Sequence, residues 1–102
     1  MIEEAYSAKG ERQYLFLIIY DIVDNRRRNK VFKLMKSYGF SVQKSSFEAY
    51  LTLKQLRILE SKLNRLIDRS CDNIRIYQMN NLNKVYNYGI INQNAYTHLL
   101  IL

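Results

Sequence analysis

The sequence predicts an α+β sandwich in which an antiparallel sheet carries two helices on one face. Three observations lead there. Residues 14–20 form an unbroken apolar run rich in β-branched and aromatic side chains; two stretches, after Asp24 and after Thr52, repeat apolar residues at helical spacing; and short extended segments follow each stretch. At 102 residues, 48% hydrophobic and without proline, the chain is sized for one compact domain and leaves no room for a second.

Residues 1–13 mix charges, include Gly10 and show little apolar periodicity, so they read as an extension ahead of the fold. The run at 14–20 lacks alternation, the pattern of a central strand buried on both faces. Asp24 is placed to cap a helix whose Val31, Leu34, Met35 and Tyr38 follow i, i+3, i+4, i+7 spacing, and Gly39 suits a left-handed stop behind it. Two extended segments come next, at 41–44 and 46–51. In the second, Phe47, Ala49 and Leu51 alternate with Ser46, Glu48 and Tyr50, which predicts one wetter face. Thr52 with Gln55 makes a capping-box pattern and opens a second helix with Leu56, Leu59, Leu63, Leu66 and Ile67 on one side, ending near 68–70. Residues 73–79 set Ile74 and Ile76 against Arg75 and Tyr77, which predicts a further strand.

Strand, helix, strand, strand, helix, strand over residues 14–79 is the ferredoxin-like β-α-β-β-α-β order. Two helices cover only one side of such a sheet, yet the first strand is apolar on both. The open face is therefore expected to pack on a second copy, giving a C2 homodimer. Residues 80–102 change in character: acids are absent, Lys84 is the only lysine or arginine, and asparagine is frequent. Residues 84–91 fit an extra C-terminal strand on an edge of its own or a partner's sheet. The apolar ending from Leu99 to Leu102 points to docking on the dimer rather than to a frayed tail.

Several classes are excluded. The apolar run is far shorter than the roughly 20 residues that span a membrane. Glu3 and Glu4 stand where a secretory signal needs basic residues, so a cytoplasmic location is expected. Cys71 and His98 are the only residues of their types, which leaves neither an intrachain disulfide nor a zinc site.

The formal charge is +7, and its excess is local: Arg26, Arg27, Arg28, Lys30, Lys33 and Lys36 fall within one short stretch that holds no acid. A surface this basic attracts polyanions, and nucleic acid becomes the leading partner class; a merely solvated basic face is the plain alternative. Guanidinium forks grip phosphate oxygens, and the start of the first helix adds its dipole and free N–H groups. Such contacts are blind to base identity. Consecutive residues turn by about 100°, so at least one of the three arginines should point into the protein or toward Asp21. Asp21 ends the central strand, where a carboxylate adds no packing and needs a partner. Asp24 is better placed as a cap, His98 lies in the tail, and Ser45 and Ser46 have no histidine nearby in sequence, so no general base is apparent.

Tyr20, Asp21 and Ile22 closing the first strand, the arginine-rich start of the first helix, Tyr38-Gly39 followed by Val42-Gln43, Ser45 with Phe47-Glu48, and Asp72 ahead of Ile74, Arg75, Ile76 and Tyr77 form an ordered set. That set resembles the CRISPR-associated protein 2 family over residues 14–79. It departs from the family at Ser46, where an aliphatic residue is usual, and in the N-terminal extension. The resemblance implies a homodimer that joins the CRISPR-associated protein 1 integrase in capturing foreign DNA and inserting it as spacers. It makes this chain a DNA-binding architectural subunit that grips double-stranded DNA through Arg26, Arg27, Arg28, Lys30, Lys33 and Lys36. Some members are described as metal-dependent nucleases. The alternative is thus an endonuclease on RNA or double-stranded DNA, toxin-like in scale, with Asp21 as catalytic residue and metal ligand and one Mg²⁺ shared at the dimer axis. An RNA-recognition module would need a basic-Gly-aromatic stretch on its third strand, and Ser45 to Tyr50 offers no glycine and an acid in the middle.

Overall fold

The computed structural model describes residues 5–79 and 85–89. Six strands and two helices appear in the order β1 (Ala5–Tyr6), β2 (Arg12–Asp21), α1 (Asn25–Lys36), β3 (Phe40–Gln43), β4 (Ser46–Leu51), α2 (Leu53–Leu66), β5 (Asn73–Gln78) and β6 (Val85–Gly89). The strands line up as β3-β4-β2-β5-β6, every neighbouring pair antiparallel. This is the predicted α+β architecture with its extra C-terminal strand. In the described chain that strand lies on its own sheet, beside β5.

Register explains which side of β2 meets the helices. Phe16 lies opposite Ala49 and Gln78, and Ile18 opposite Phe47 and Ile76. Phe16, Ile18, Phe47, Ala49 and Ile76, with Tyr20, Leu51 and Ile74, form one buried core with Val31 and Met35 of α1 and Leu56, Leu59 and Leu63 of α2. The alternate residues Leu15, Leu17 and Ile19 face the other way and are only half-buried. The uniformly apolar run therefore has one face sealed by helices and one covered in part. Beside it, all six residues of β5 are buried, Arg75 and Tyr77 included.

Both predicted caps form. The Asp24 carboxylate accepts the Arg27 N–H at 3.0 Å, and the Thr52 hydroxyl accepts the Gln55 N–H at 3.1 Å while the Gln55 side-chain carbonyl accepts the Thr52 N–H at 2.8 Å. Gly39 is a correction. Its backbone does not enter the left-handed region, where the described glycines are Gly10 and Gly89. A side chain at Gly39 would instead collide with the Glu48 carbonyl and press on Ala49, so the residue is small because β4 passes directly behind it. The left-handed turn in this part of the chain belongs to Ser45, at φ 64°, between β3 and β4.

The N-terminal stretch read as an extension adds structure. Arg12 and Gln13 lengthen β2, and Ala5 and Tyr6 fold back to pair with them. His98 and the segment Leu99 to Leu102 lie outside the described residues.

Candidate nucleic-acid interface

The turn from β2 into α1 decides where the basic residues go. Ile22 is buried and anchors it, while Val23 and Asp24 are exposed and carry the chain into the helix. Arg27 leans back across the turn. Its Nε donates to Asp72 Oδ2 at 2.8 Å and its second amine to Oδ1 at 3.3 Å, a bidentate pair. Asp72 is fully buried just ahead of β5, and it also accepts the Val23 N–H at 3.0 Å and the Asp68 N–H at 2.9 Å. One carboxylate thus ties the β2–α1 turn, helix α1 and the α2–β5 loop together. Burial alone would raise its pKa, but the hydrogen bonds from Arg27, Asp68 and Val23 outweigh that and hold it at about 2. The Cys71 thiol, 3.5 Å from the Arg27 guanidinium, is pushed up by burial and remains a packing residue.

Arg28 is also occupied. Its guanidinium donates to the Ile22 carbonyl at 3.1 and 2.9 Å, to the Val23 carbonyl at 3.2 Å and to the Asn25 side chain at 2.5 Å. Of the three consecutive arginines, two are turned onto the protein's own polar atoms. Arg26, Lys30, Lys33 and Lys36 are exposed. At about 100° per residue, Arg26, Lys30 and Lys33 share one stripe on the side of α1 opposite Met35. Lys36 flanks that stripe, its ammonium 5.4 Å from the centre of the Phe32 ring. The first turn of α1 holds no acidic side chain other than the Asp24 cap before it. The sequence reading missed the role of Asp72. Its one signal was an acid at the mouth of a strand too apolar to need it; nothing in the sequence fixed its distance to Arg27.

Asp21 ends β2 opposite Asn73, exposed, and it alternates with Tyr20 so that its carboxylate lies on the sheet face away from the helices. It makes no hydrogen bond or ion pair with another described residue. As a hard oxygen donor it suits Mg²⁺, which is bound by one or two carboxylates and keeps several waters. Asp24 and Asp72 are committed elsewhere, and among the described residues no three potential ligands gather. The donor chemistry fits the ion, but one chain supplies a single carboxylate.

Comparison with known proteins bears on this arrangement. The family model described as CRISPR associated protein Cas2 matches residues 14–85. The chain belongs to the Cas2 family. Among curated relatives, the "CRISPR-associated endoribonuclease Cas2" of Mycobacterium tuberculosis is 49% identical over 74 residues, covering 72% of this chain and 64% of that protein. The "CRISPR-associated endonuclease Cas2 2" of Thermus thermophilus is 46% identical over 63 residues, covering 62% and 70%. The chain thus spans somewhat under two thirds of the Mycobacterium tuberculosis relative. Among solved structures, a hypothetical protein of Thermus thermophilus aligns with TM-score 0.59 and 34% identity over 78% of this chain and 84% of its own. The Cas2 of Streptococcus pyogenes, crystallised at pH 6.5, aligns with TM-score 0.57 and 25% identity over 82% and 93%. The Cas2 match starts at residue 14, so the pairing of β1 with the start of β2 falls outside it. No described helix of this Cas2-family chain is long and apolar enough to cross a membrane.

Proposed function

We propose that this chain is a homodimeric, DNA-binding architectural subunit of the CRISPR adaptation complex, bridging CRISPR-associated protein 1 integrase subunits in the cytoplasm. The observation that carries the reading is the exposed stripe of Arg26, Lys30 and Lys33, flanked by Lys36, on a helix locked in place by Arg27 and Arg28. Cations held on a rigid helix and read only by phosphate charge suit a duplex of any sequence. Dimerisation is supported by the sheet face away from the helices, where half-buried Leu15, Leu17 and Ile19 sit beside Tyr50 at 40% and Phe40 at 52% exposure. A second copy would bury that face and bring two basic helices into one assembly. The reading is tested by duplex binding over a salt series with Arg26, Lys30 and Lys33 replaced by alanine. Binding that keeps its affinity and salt slope defeats it.

A second reading, metal-dependent endonuclease, is favoured by one observation: Asp21 is an exposed carboxylate without a described partner. The Mycobacterium tuberculosis and Thermus thermophilus relatives are named endoribonuclease and endonuclease, which supports it. In a dimer, Asp21 of each copy would hold a shared Mg²⁺, which when bound neutralises charge developing on a phosphodiester. Cleavage of RNA and duplex DNA by the unmodified chain and by Asp21→Asn decides between the readings.

A further inference from the structure

The first two turns of α2 border a pocket that neither the basic stripe of α1 nor the open sheet face uses. It measures about 170 Å³ and is lined by Leu53, Leu56, Arg57 and Glu60 of α2 and by Tyr86 of β6. Spacings of three, four and seven residues put the four helical side chains on one flank of α2. Tyr86 lies opposite Ile76 in register and packs against the core from the helix side of the sheet. The Cas2 match ends at residue 85, so this wall of the pocket falls beyond it. Leu56 is buried and floors the pocket, while Leu53, 45% exposed, stands at the rim with the exposed Arg57.

Glu60 is half-buried, and its carboxylate has no hydrogen bond or ion pair with another described residue. Burial pushes its carboxyl above the ordinary value, and Arg57, one turn earlier, offsets only part of that. A partly desolvated carboxylate beside an aromatic ring and a leucine floor lacks a cation. A phosphate is repelled by the same charge.

Size and chemistry decide what supplies the cation. Sites for small molecules run to roughly 300–1,000 Å³; this pocket is smaller and suits the end of one side chain. Arginine fits it best, because a guanidinium forks onto both carboxylate oxygens and lays its flat face on a tyrosine ring, which the compact ammonium of lysine does not do. Arg57 at the rim calls for an acid. We propose that this pocket anchors one arginine of a protein partner, clamped between Glu60 and Tyr86, with an acidic residue of the same partner on Arg57. Arginines are common anchors at the centre of protein interfaces. The pocket lies on the helix side of the sheet, so a second copy on the open face leaves it accessible, and it stands whether or not the chain binds a duplex.

The test is an NMR titration of the isotope-labelled full chain at neutral pH with three probes. They are N-acetyl-arginine methylamide, its uncharged citrulline counterpart, and a short helical peptide with arginine and, one turn away, glutamate. The arginine probe should bind in about the millimolar range and shift the amides of Leu56, Arg57, Glu60 and Tyr86. Citrulline should bind about tenfold more weakly, the loss expected for charge-assisted hydrogen bonds. Glu60→Gln should weaken arginine by about the same factor, and Tyr86→Leu by about threefold, with duplex affinity unchanged in both. The arginine–citrulline comparison uses the unmodified chain, so it carries the test should a variant lose its fold. Equal binding of arginine and citrulline, shifts centred elsewhere, or arginine binding untouched by Glu60→Gln overturns the site. A peptide that binds no tighter than the arginine probe overturns the partner's contact with Arg57. Arginine binding that strengthens in Lys84→Ala would mean that the chain fills the pocket itself, and overturns a partner's place in it.

Discussion

The guanidinium of Arg27 and the carboxylate of Asp72 meet at 2.8 Å across 45 residues of sequence, and that contact fixes helix α1 to the start of β5. Asp72 is fully buried and accepts from Val23 and Asp68 as well, so its charge is met by three separate parts of the chain. The pair orients the helix that carries the basic stripe. A residue that reads as a phosphate ligand in the sequence thereby becomes the fixture that holds the helix and its exposed basic residues still.

Removing either partner should be costly. Asp72→Ala leaves the half-buried Arg27 guanidinium and two backbone N–H groups without their acceptor, and a loss of about 2 kcal/mol is expected, most of it from the unpaired N–H groups. Urea unfolding followed by circular dichroism measures it. A loss below about 1 kcal/mol would place the pair with ordinary surface bridges.

The same carboxylate makes the fold sensitive to acid. Asp72 titrates at about 2 in the folded chain against 3.8 ordinarily. Because the folded value is the lower one, its contribution is complete above about pH 4 and is lost as pH falls toward 2. That lowering corresponds to about 2 kcal/mol. Unfolding free energy should fall across this window in the unmodified chain and fall less steeply in Asp72→Asn.

The consecutive arginines should separate in solution. Replacing Arg26, Lys30 and Lys33 by alanine should lower duplex affinity for every sequence alike and reduce the salt slope by about 0.9 for each phosphate left without its cation, with melting temperature unchanged. Arg28→Ala should do the reverse, since the Ile22 and Val23 carbonyls lose their donor while the exposed stripe keeps its charges. Filter binding over a salt series, paired with thermal melts, shows both.

Gly39 offers a check on packing. Gly39→Ala drives a methyl group into the Glu48 carbonyl and Ala49, and overpacking of this kind costs about 1–3 kcal/mol. A neutral substitution in a urea melt would mean that β4 can retreat from the turn.

If the nuclease reading holds, cleavage depends on Asp21 alone among the described acids near it. Asp21→Asn should abolish Mg²⁺-dependent cleavage and leave duplex affinity and melting temperature intact, because the Asp21 carboxylate is exposed and bonds to no described side chain. Cleavage at the original rate in Asp21→Asn would assign it to another site or another protein.

Much of this chain was legible from local chemistry. Apolar spacing placed both helices, the Asp24 and Thr52 caps fixed where they begin, and the unbroken run at 14–20 identified the central strand, because caps and periodicity act between residues a few positions apart. Charge density located the basic cluster on α1 for the same reason. The misread Gly39 shows the limit of such reasoning: a glycine after a helix fits a left-handed stop, but here it is the backbone of β4, reached only in three dimensions, that demands it.

The sequence by itself determined the order of elements, the amphipathic faces and the location of the basic cluster. Tertiary structure alone decided which arginines are free, because Arg26, Arg27 and Arg28 are equivalent in composition and differ only in what the fold brings opposite them: solvent, a buried carboxylate and two backbone carbonyls. It also decided that Glu60 and Tyr86 share a pocket. Contacts between residues far apart in the chain depend on strand register and helix docking, and those are set by packing of the whole core rather than by any local pattern.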